Sequence, residues 1–171
     1  DWNLNSAPFL DLNRSNTNLI FTTAITRKFS AKFTNKTGIT YTKMYYDMDM
    51  DLAPHQMHPM ELISQGKGNT DLISGYTSSS IGISEQVTLN VGVNAQVLTL
   101  NNSWALEPRA GIKWQFSPKS SFALAYGVHS RMEKMDVYFV KTQGTGDRSV
   151  NKDLGFTRAH HVMLSYGFKI S

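Results

Sequence analysis

The sequence predicts an all-β protein, an antiparallel up-and-down meander of seven or eight strands over residues 1–171 as a single domain. Three observations support this prediction. Apolar and polar residues alternate with a period of two in many stretches of the chain. Turn-forming residues separate these stretches. No run of about 18 apolar residues that would form a membrane-spanning helix is present.

The clearest alternation lies between Val87 and Val97. Every odd position in this run is apolar, and every even position is polar or glycine. Successive side chains of a strand point to opposite faces, so a strand gathers these apolar residues on one face, whereas a helix would scatter them around its circumference. The run therefore predicts a strand with one apolar and one polar face.

Three later runs alternate in the same way, within residues 104–116, 122–129 and 161–170. A short turn at Ser117–Ser120 separates the first two. The apolar positions of the three runs are Trp104, Leu106, Pro108, Ala110, Ile112, Trp114 and Phe116; Phe122, Leu124, Tyr126 and Val128; and Val162, Leu164, Tyr166, Phe168 and Ile170.

The earlier strands are less regular. We expect them at about Thr17–Phe29, Phe33–Leu52 and Leu72–Ile83, with a possible short strand at Pro8–Leu12. In the second of these, the apolar residues change from odd to even positions near Lys43. A β-bulge, which adds one residue to one strand of a pair, is the simplest cause of such a change.

The connections between the expected strands differ in length according to the rim at which they lie. Counted from Thr17, the first, third and fifth turns are short. The second and sixth connections, Ala53–Thr70 and Lys141–Leu154, are long, and the fourth, Asn101–Ser103, is short. Long loops therefore occur at one rim only, as in outer-membrane barrels, which have short periplasmic turns and longer extracellular loops.

Composition excludes several classes of protein. The net charge is +4 without a basic cluster, so nucleic-acid binding is not expected. There is no cysteine, which rules out disulfides and thiolate metal sites. No nucleophile elbow, phosphate loop or catalytic triad spacing is found, so we expect no enzyme and no cofactor. The start, Asp1–Asn3, does not resemble a signal peptide, and we expect a removed leader or an excerpt of a longer chain.

Alternation alone does not say whether the apolar face meets lipid or a dry core. A soluble, lipocalin-like barrel of about eight strands that binds a small ligand has the same period with the faces exchanged. Trp104 and Trp114 favour lipid. Ten residues at about 3.3 Å each span about 33 Å of strand. At a tilt of about 40°, they cover roughly the 25 Å height of the apolar band between aromatic girdles.

The lipid interpretation assigns residues to the two faces of the expected sheet. Bulky charged groups in the middle of a strand fit a wide, wet lumen better than a small closed barrel. The residues expected to face lipid are Val91, Trp104, Trp114, Leu124 and Leu164. The residues expected to face the lumen are Glu107, Arg109, Lys113 and His129, together with Asn90 and Lys169.

Several segments resemble a known family. Ser103–Trp114, with its Glu-Pro-Arg sequence, resembles a barrel strand of TonB-dependent outer-membrane receptors, in the branch with an amino-terminal carboxypeptidase-like domain. A Ser-Pro turn and Tyr126–Ser130 follow in the order found in that branch. Further similar segments are Asn35–Thr40, Tyr138–Val140, Asn151–Leu154, Arg158–His161 and Leu164–Gly167. The resemblance covers most of Asn35–Phe168.

The resemblance implies a barrel of about 22 strands closed by an internal plug domain. This chain is then an internal segment of the barrel wall, without the plug and without barrel closure. The implied location is the outer membrane of a Gram-negative bacterium. The implied partners are outer-membrane lipid, the TonB system acting through the missing plug, and a small nutrient such as an iron chelate, cobalamin, peptide or glycan. An isolated segment is expected to self-associate through its open strand edges.

The resemblance also implies that the outer loops bind the nutrient. The candidate residues are His55, His58, Glu61, Lys67, Lys141 and Arg148. We considered a transition metal held by the His/Met-containing loop, but its two prolines indicate an irregular loop, so no metal is predicted.

Other titratable residues have simpler interpretations. Asp47, Asp49 and Asp51 share one strand face, and a solvated rim is favoured over a calcium site because the EF-hand spacing is missing. His160 and His161 point to opposite faces and cannot bind one ion together. We expect residues 66–69 (Gly-Lys-Gly-Asn) to form a turn.

Overall fold

The computed structural model describes residues 10–52, 61–141 and 149–170. They form one seven-stranded antiparallel sheet in which every strand pairs with its neighbours in sequence. One turn of helix, α1 (Met135–Tyr138), lies between the last two strands. The all-β meander is thus confirmed. The strands are β1 (Leu10–Ser30), β2 (Phe33–Leu52), β3 (Glu61–Gly82), β4 (Val87–Leu98), β5 (Ser103–Trp114), β6 (Ser120–Arg131) and β7 (Thr157–Phe168).

The sheet is open. Within the described residues, β1 and β7 lie at its two edges, and each pairs on one side only. Because there are seven strands and each reverses direction, β1 and β7 run the same way. An antiparallel barrel needs an even number of strands to close. The seven strands therefore cannot close on themselves by antiparallel pairing.

β2 has the expected bounds, Phe33–Leu52, whereas β1 and β3 are longer than the sequence indicated. These three strands have 20 to 22 residues, and the last four have 12. The expected strand at Pro8–Leu12 is not a separate element, because Leu10 begins the continuous β1. Pro8 and Phe9 lie outside the described residues. The halves of β1, β2 and β3 on the side of the long connections, which we call the upper halves, thus extend beyond the end of β4.

The expected long loop at Ala53–Thr70 is also wrong in part. β3 begins at Glu61, so the predicted turn at residues 66–69 is strand. A β-carbon added to Gly66 would lie 2.8 Å from the ring of Phe139, and one added to Gly68 would lie 3.0 Å from the Tyr46 hydroxyl. The two glycines resembled a turn in the sequence, but their function here is to let aromatic rings lie against the strand.

The expected β-bulge near Lys43 is absent. Lys43 pairs in continuous register with Leu19 on one side and Asp71 on the other. The register shifts lie elsewhere, between Lys28 and Ser30 and between Met50 and Asp51. β2 continues past Lys43 without an extra residue. Its apolar residues change there from one face of the sheet to the other.

The sheet has an apolar face and a polar face. The apolar face carries the odd positions of β4 and the even positions of β5, which are direct cross-strand partners. It is largely uncovered: Trp114 is 50% exposed and Phe168 61%. The buried core is small and lies on the polar face, where the β6–β7 connection packs on the sheet. It consists of Met44, Tyr46, Met48, Leu98, Met135 and Tyr138.

The rims differ as expected. At the short-turn rim, two to five residues join β1 to β2, β3 to β4 and β5 to β6. The connection from β4 to β5, at the other rim, is also short and contains Asn102 with a φ of 56°, a left-handed conformation that asparagine tolerates. The β6–β7 connection, residues 132–156, is long, and the structure describes the parts of it that adjoin the two strands.

Candidate functional site

The apolar face carries a band that is bounded by aromatic residues at both ends. From β4 to β7, apolar residues on adjacent strands are cross-strand partners along this band. One bounding row consists of Phe21, Tyr41, Ile73, Val97 and Trp104. The other consists of Val87, Trp114, Phe122 and Tyr166. On β5 the two rows are ten residues apart, which corresponds to about 33 Å of strand.

The band ends in charged residues on the side of the long connections. Lys43 Nζ lies 3.1 Å from Asp71 Oδ1, and the Tyr41 hydroxyl donates to the same carboxylate at 2.7 Å. Further out, Lys67 Nζ lies 2.6 Å from Asp47 Oδ2, and this hydrogen bond raises the pKa of Lys67. Exposed pairs of this kind contribute little to stability. They do mark where the apolar surface stops.

The band is not uniformly apolar, but its polar side chains satisfy one another. Asn35 Nδ2 donates to Thr77 Oγ1 and Ser79 Oγ, each at 2.9 Å. Thr37 Oγ1 donates to Asn35 Oδ1, also at 2.9 Å. Because these groups already have partners within the sheet, exposing them to an apolar environment costs less than exposing unpaired groups.

The polar face is organised around Glu107, which is only 4% exposed. Its carboxylate accepts five hydrogen bonds. Oε1 accepts from the backbone N–H of Ser130 at 2.9 Å, from Ser130 Oγ at 2.5 Å and from Gln96 Nε2 at 2.8 Å. Oε2 accepts from Asn94 Nδ2 and from Arg109, each at 3.1 Å. One carboxylate thus links β4, β5 and β6.

The register explains why a carboxylate is needed here. β5 and β6 pair only from Arg109 opposite Gly127 to Trp114 opposite Phe122. Beyond Gly127 the two strands part, so the amide of Ser130 has no ladder partner on β5. Glu107 supplies the missing acceptor from its side chain. A buried N–H without a partner is costly, and this arrangement avoids that cost.

A shallow trough lies on the polar face next to this network, with a volume of about 300 Å³. Its floor is made of small residues, including Gly92, Gly111 and Gly127. Arg109 also lines the trough, together with the rings of His129 and His161. The centroids of these two rings are 5.0 Å apart. The trough is open and carries cationic and imidazole nitrogens, which suits contact with polar or anionic groups.

The β6–β7 connection packs on the upper part of the polar face. Tyr138 and Met135 are buried against β2 and β4. The Phe139 ring lies over Gly66, with its centroid 4.9 Å from that of Tyr46. Desolvation raises the pKa of the Tyr138 hydroxyl. This loop contact explains why the apolar residues of upper β2 lie on the polar face.

Polar contacts fix the connection at several points. Arg14 pairs with Asp136 at 3.2 Å, and Ser64 Oγ donates to the Asp136 carbonyl at 3.1 Å. The Lys141 amide donates to the Ile63 carbonyl at 2.6 Å. Near β7, Asn101 Nδ2 donates to the carbonyl of Leu154 at 2.7 Å. The connection is therefore anchored to β1, β3 and the β4–β5 turn.

The candidate nutrient-binding residues are not brought together in the described part of the chain. Lys67 and Glu61 lie in β3 rather than in a loop, and Lys67 is paired with Asp47. Lys141 follows the helical turn and bonds to β3 through its backbone. The other three, His55, His58 and Arg148, lie outside the described residues.

The residues expected to face lipid and lumen fall on opposite faces of the sheet. Glu107, Arg109, Lys113 and His129 lie on the polar face. Val91, Trp104, Trp114, Leu124 and Leu164 lie on the apolar face. Asn90 and Lys169 have the parity of the polar face, as expected. Which medium each face meets remains a prediction.

No metal site is found among the residues that the structure describes, since no three His, Asp or Glu side chains lie close enough together to hold an ion. Asp47, Asp49 and Asp51 share a face at the charged edge of the band, as expected. His160 and His161 lie on opposite faces. The Tyr126 hydroxyl and His160 Nδ1 are 2.7 Å apart on the apolar face.

Two features were not evident from the sequence. The role of Glu107 as acceptor for Ser130 depends on where β5 and β6 part. The packing of Met135 and Tyr138 depends on how the β6–β7 connection folds back. The three-residue spacing of Met135 and Tyr138, both apolar and in a segment without strand alternation, was the one available signal.

A scan against protein-family models and searches of curated proteins and solved structures found no match to this chain. In the described residues, no helix is both long enough and apolar enough to cross a membrane.

Proposed function

We propose that this chain forms part of the barrel wall of a TonB-dependent outer-membrane receptor for active nutrient uptake. One observation carries the proposal: the sheet exposes a mainly apolar band on one face, whose polar side chains on β2 and β3 are hydrogen-bonded to one another, and a hydrogen-bonded polar surface on the other face. Exposed contiguous apolar surfaces larger than a few hundred Å² are unusual in soluble monomers and mark contact with a partner or a membrane. A barrel wall between lipid and a wet lumen needs both faces.

The aromatic rows support a membrane as the medium at the apolar face. Trp104, at 63% exposure, and Trp114, at 50%, mark the two ends of the band on β5. Tryptophan and tyrosine prefer the interface between hydrocarbon and water. The ion pairs Lys43–Asp71 and Lys67–Asp47 lie just beyond one of these rows. This sequence of layers follows the depth profile of a bilayer.

The open edges support a larger barrel. Unpaired backbone groups at a strand edge are not tolerated in hydrocarbon, so β1 and β7 must pair with strands outside the described sheet. Since seven strands are present, an antiparallel barrel needs an odd number of further strands. A 22-stranded receptor barrel would supply about 15. Two copies inserted in the same direction would require parallel pairing at both seams.

The soluble lipocalin-like alternative gains no support from the described residues. It would need the apolar side chains to line a closed interior. Val162, Leu164 and Phe168 are instead 74%, 72% and 61% exposed. We propose no catalytic activity. Ligand capture is assigned to the loops at the long-connection rim, and uptake to the TonB system acting through a plug.

The proposal is tested by placing one charge on each face at the same depth. Val91 and Asn90 are neighbours on β4 that point to the apolar and the polar face. We expect Val91→Arg to destabilise the chain folded in phosphatidylcholine vesicles by about 2–4 kcal/mol, because arginine near the bilayer midplane on the lipid face has that cost. Urea titration of the full chain with vesicles, followed by tryptophan fluorescence, measures the change.

Asn90→Arg is the matched control. It adds the same side chain to the same strand, but toward the polar face, and we expect little change. Equal effects of the two substitutions would contradict the membrane assignment. So would a chain that folds in water without detergent or lipid as a stable, soluble monomer.

A further inference from the structure

We propose that a pocket at the short-turn rim, formed by Lys113, Lys119 and Lys169, binds a phosphate group. The pocket lies on the polar face where β5, β6 and β7 end, and its volume is about 410 Å³. Gln115, Ser120 and Ser121 contribute the remaining polar side chains.

The charges around this pocket are uncompensated. Each of the three lysines is exposed, and none forms an ion pair in the described part of the chain. No acidic residue lines the pocket. Like charges that line one pocket repel one another, and a bound anion would relieve this repulsion. The observation contrasts with Lys43 and Lys67, which both have carboxylate partners.

The backbone fixes two of the three lysines relative to each other. The amide of Lys169 donates to the carbonyl of Lys119 at 2.8 Å, which joins the end of β7 to the β5–β6 turn. The Lys119 amide in turn donates to Ser117 Oγ at 3.3 Å. Lys113 reaches the pocket from β5, two residues before Gln115. The lysines therefore converge from three separate segments held in one sheet.

Phosphate chemistry fits this set of donors better than a carboxylate does. Lysine acts as a point charge with three rotatable donors and is a common phosphate ligand, whereas planar carboxylates are matched by arginine. Serine hydroxyls and a glutamine amide add neutral donors to the same volume. A phosphate offers three or more acceptor oxygens and up to two charges for these donors.

Two sources of phosphate fit the position. Phe168, on the apolar face, also lines the pocket, so the pocket opens at the rim between the two faces. A phospholipid in the proposed membrane would place its headgroup at this level. A soluble phosphate compound would reach the same lysines from the polar face. Only the lipid source depends on the proposed function.

The test uses the full chain folded in zwitterionic detergent micelles, with inorganic diphosphate as the probe. We expect saturable shifts of the Ser121 and Gly167 amide signals by NMR. We expect Lys113→Gln, Lys119→Gln and Lys169→Gln each to raise the dissociation constant for diphosphate about tenfold. This is the size of one charge-assisted hydrogen bond. Lys32→Gln removes a charge from the same rim outside the pocket, and we expect a change of less than about twofold.

Equal weakening by Lys32→Gln and the pocket variants would overturn the proposal, because it would mean diffuse attraction to a basic rim. So would the absence of saturable shifts with diphosphate.

Vesicles of phosphatidylcholine with and without phosphatidylglycerol distinguish the two sources. If lipid is the source, phosphatidylglycerol will weaken diphosphate binding to the unaltered chain. If diphosphate binding is unchanged, the source is a soluble phosphate. Both results support the pocket. The proposed function is tested separately by the Val91→Arg and Asn90→Arg pair, so either proposal can fail alone.

Discussion

Replacing Glu107 with alanine is expected to destabilise the sheet by about 3 kcal/mol, the lower end of the cost of breaking a buried charged network by removing one partner. The carboxylate accepts five hydrogen bonds and is 4% exposed. Its loss leaves the amide of Ser130 without its acceptor, whereas Gln96 Nε2 keeps the carbonyl and hydroxyl oxygens of Ser130. Urea unfolding of the chain in detergent micelles, followed by tryptophan fluorescence, measures the loss.

Glu85→Ala is the matched control for this substitution. Glu85 lies exposed in the β3–β4 turn and forms no ion pair within the described residues. Hydrogen exchange provides a second readout, since the Ser130 amide should exchange faster in Glu107→Ala. Equal stability of the two variants, with unchanged exchange at Ser130, would show that the network contributes nothing to holding β5 and β6 together.

A conservative variant separates charge from shape. Glu107→Gln keeps one acceptor oxygen but places an NH₂ group against donors from neighbouring residues. We expect the stability of Glu107→Gln to lie between that of the unaltered chain and that of Glu107→Ala. If glutamine were as destabilising as alanine, both carboxylate oxygens would be required, one for Ser130 and Gln96 and the other for Asn94 and Arg109.

Replacing Tyr138 with alanine is expected to release the β6–β7 connection from the sheet. Tyr138 is fully buried, and removing such an aromatic ring costs about 3–5 kcal/mol. The connection lies outside the strand ladders and packs on the sheet through this cluster, so the cost is expected to appear as local opening rather than as unfolding of the strands. Hydrogen exchange at Val137 and Lys141 should accelerate, while exchange in β4 and β5 should not.

Gly66→Val approaches the same contact from the other side. A β-carbon there would lie 2.8 Å from the Phe139 ring, so the ring must move away. Tyr45→Ala is the control, because Tyr45 is 44% exposed and its ring is not part of the buried cluster. If neither Tyr138→Ala nor Gly66→Val changes exchange at Lys141, the anchoring role assigned to this cluster is wrong.

Much of the fold follows from local sequence patterns. The alternation between Val87 and Val97 predicted β4 and its two faces, and the same pattern predicted β5, β6 and β7. The order of the strands followed from short connections, which favour pairing of sequential strands. Prediction was poorer where a glycine had a role other than in a turn. The segment with Gly66 and Gly68 resembled a loop. Local sequence did not reveal its role in a strand, because the rings that lie over the two glycines come from β2 and from a segment more than 70 residues further along the chain.

The sequence by itself determined that the chain is a meander with one apolar and one polar face, because side-chain alternation is a local property that repeats every two residues. Only the tertiary structure decided how the polar face is used. Ser130 needs the Glu107 carboxylate because the β5–β6 ladder ends at Arg109 and Gly127. Met44 and Met48 turn inward because the β6–β7 connection covers them. Both depend on register and chain reversal between residues far apart in sequence, which no local pattern contains.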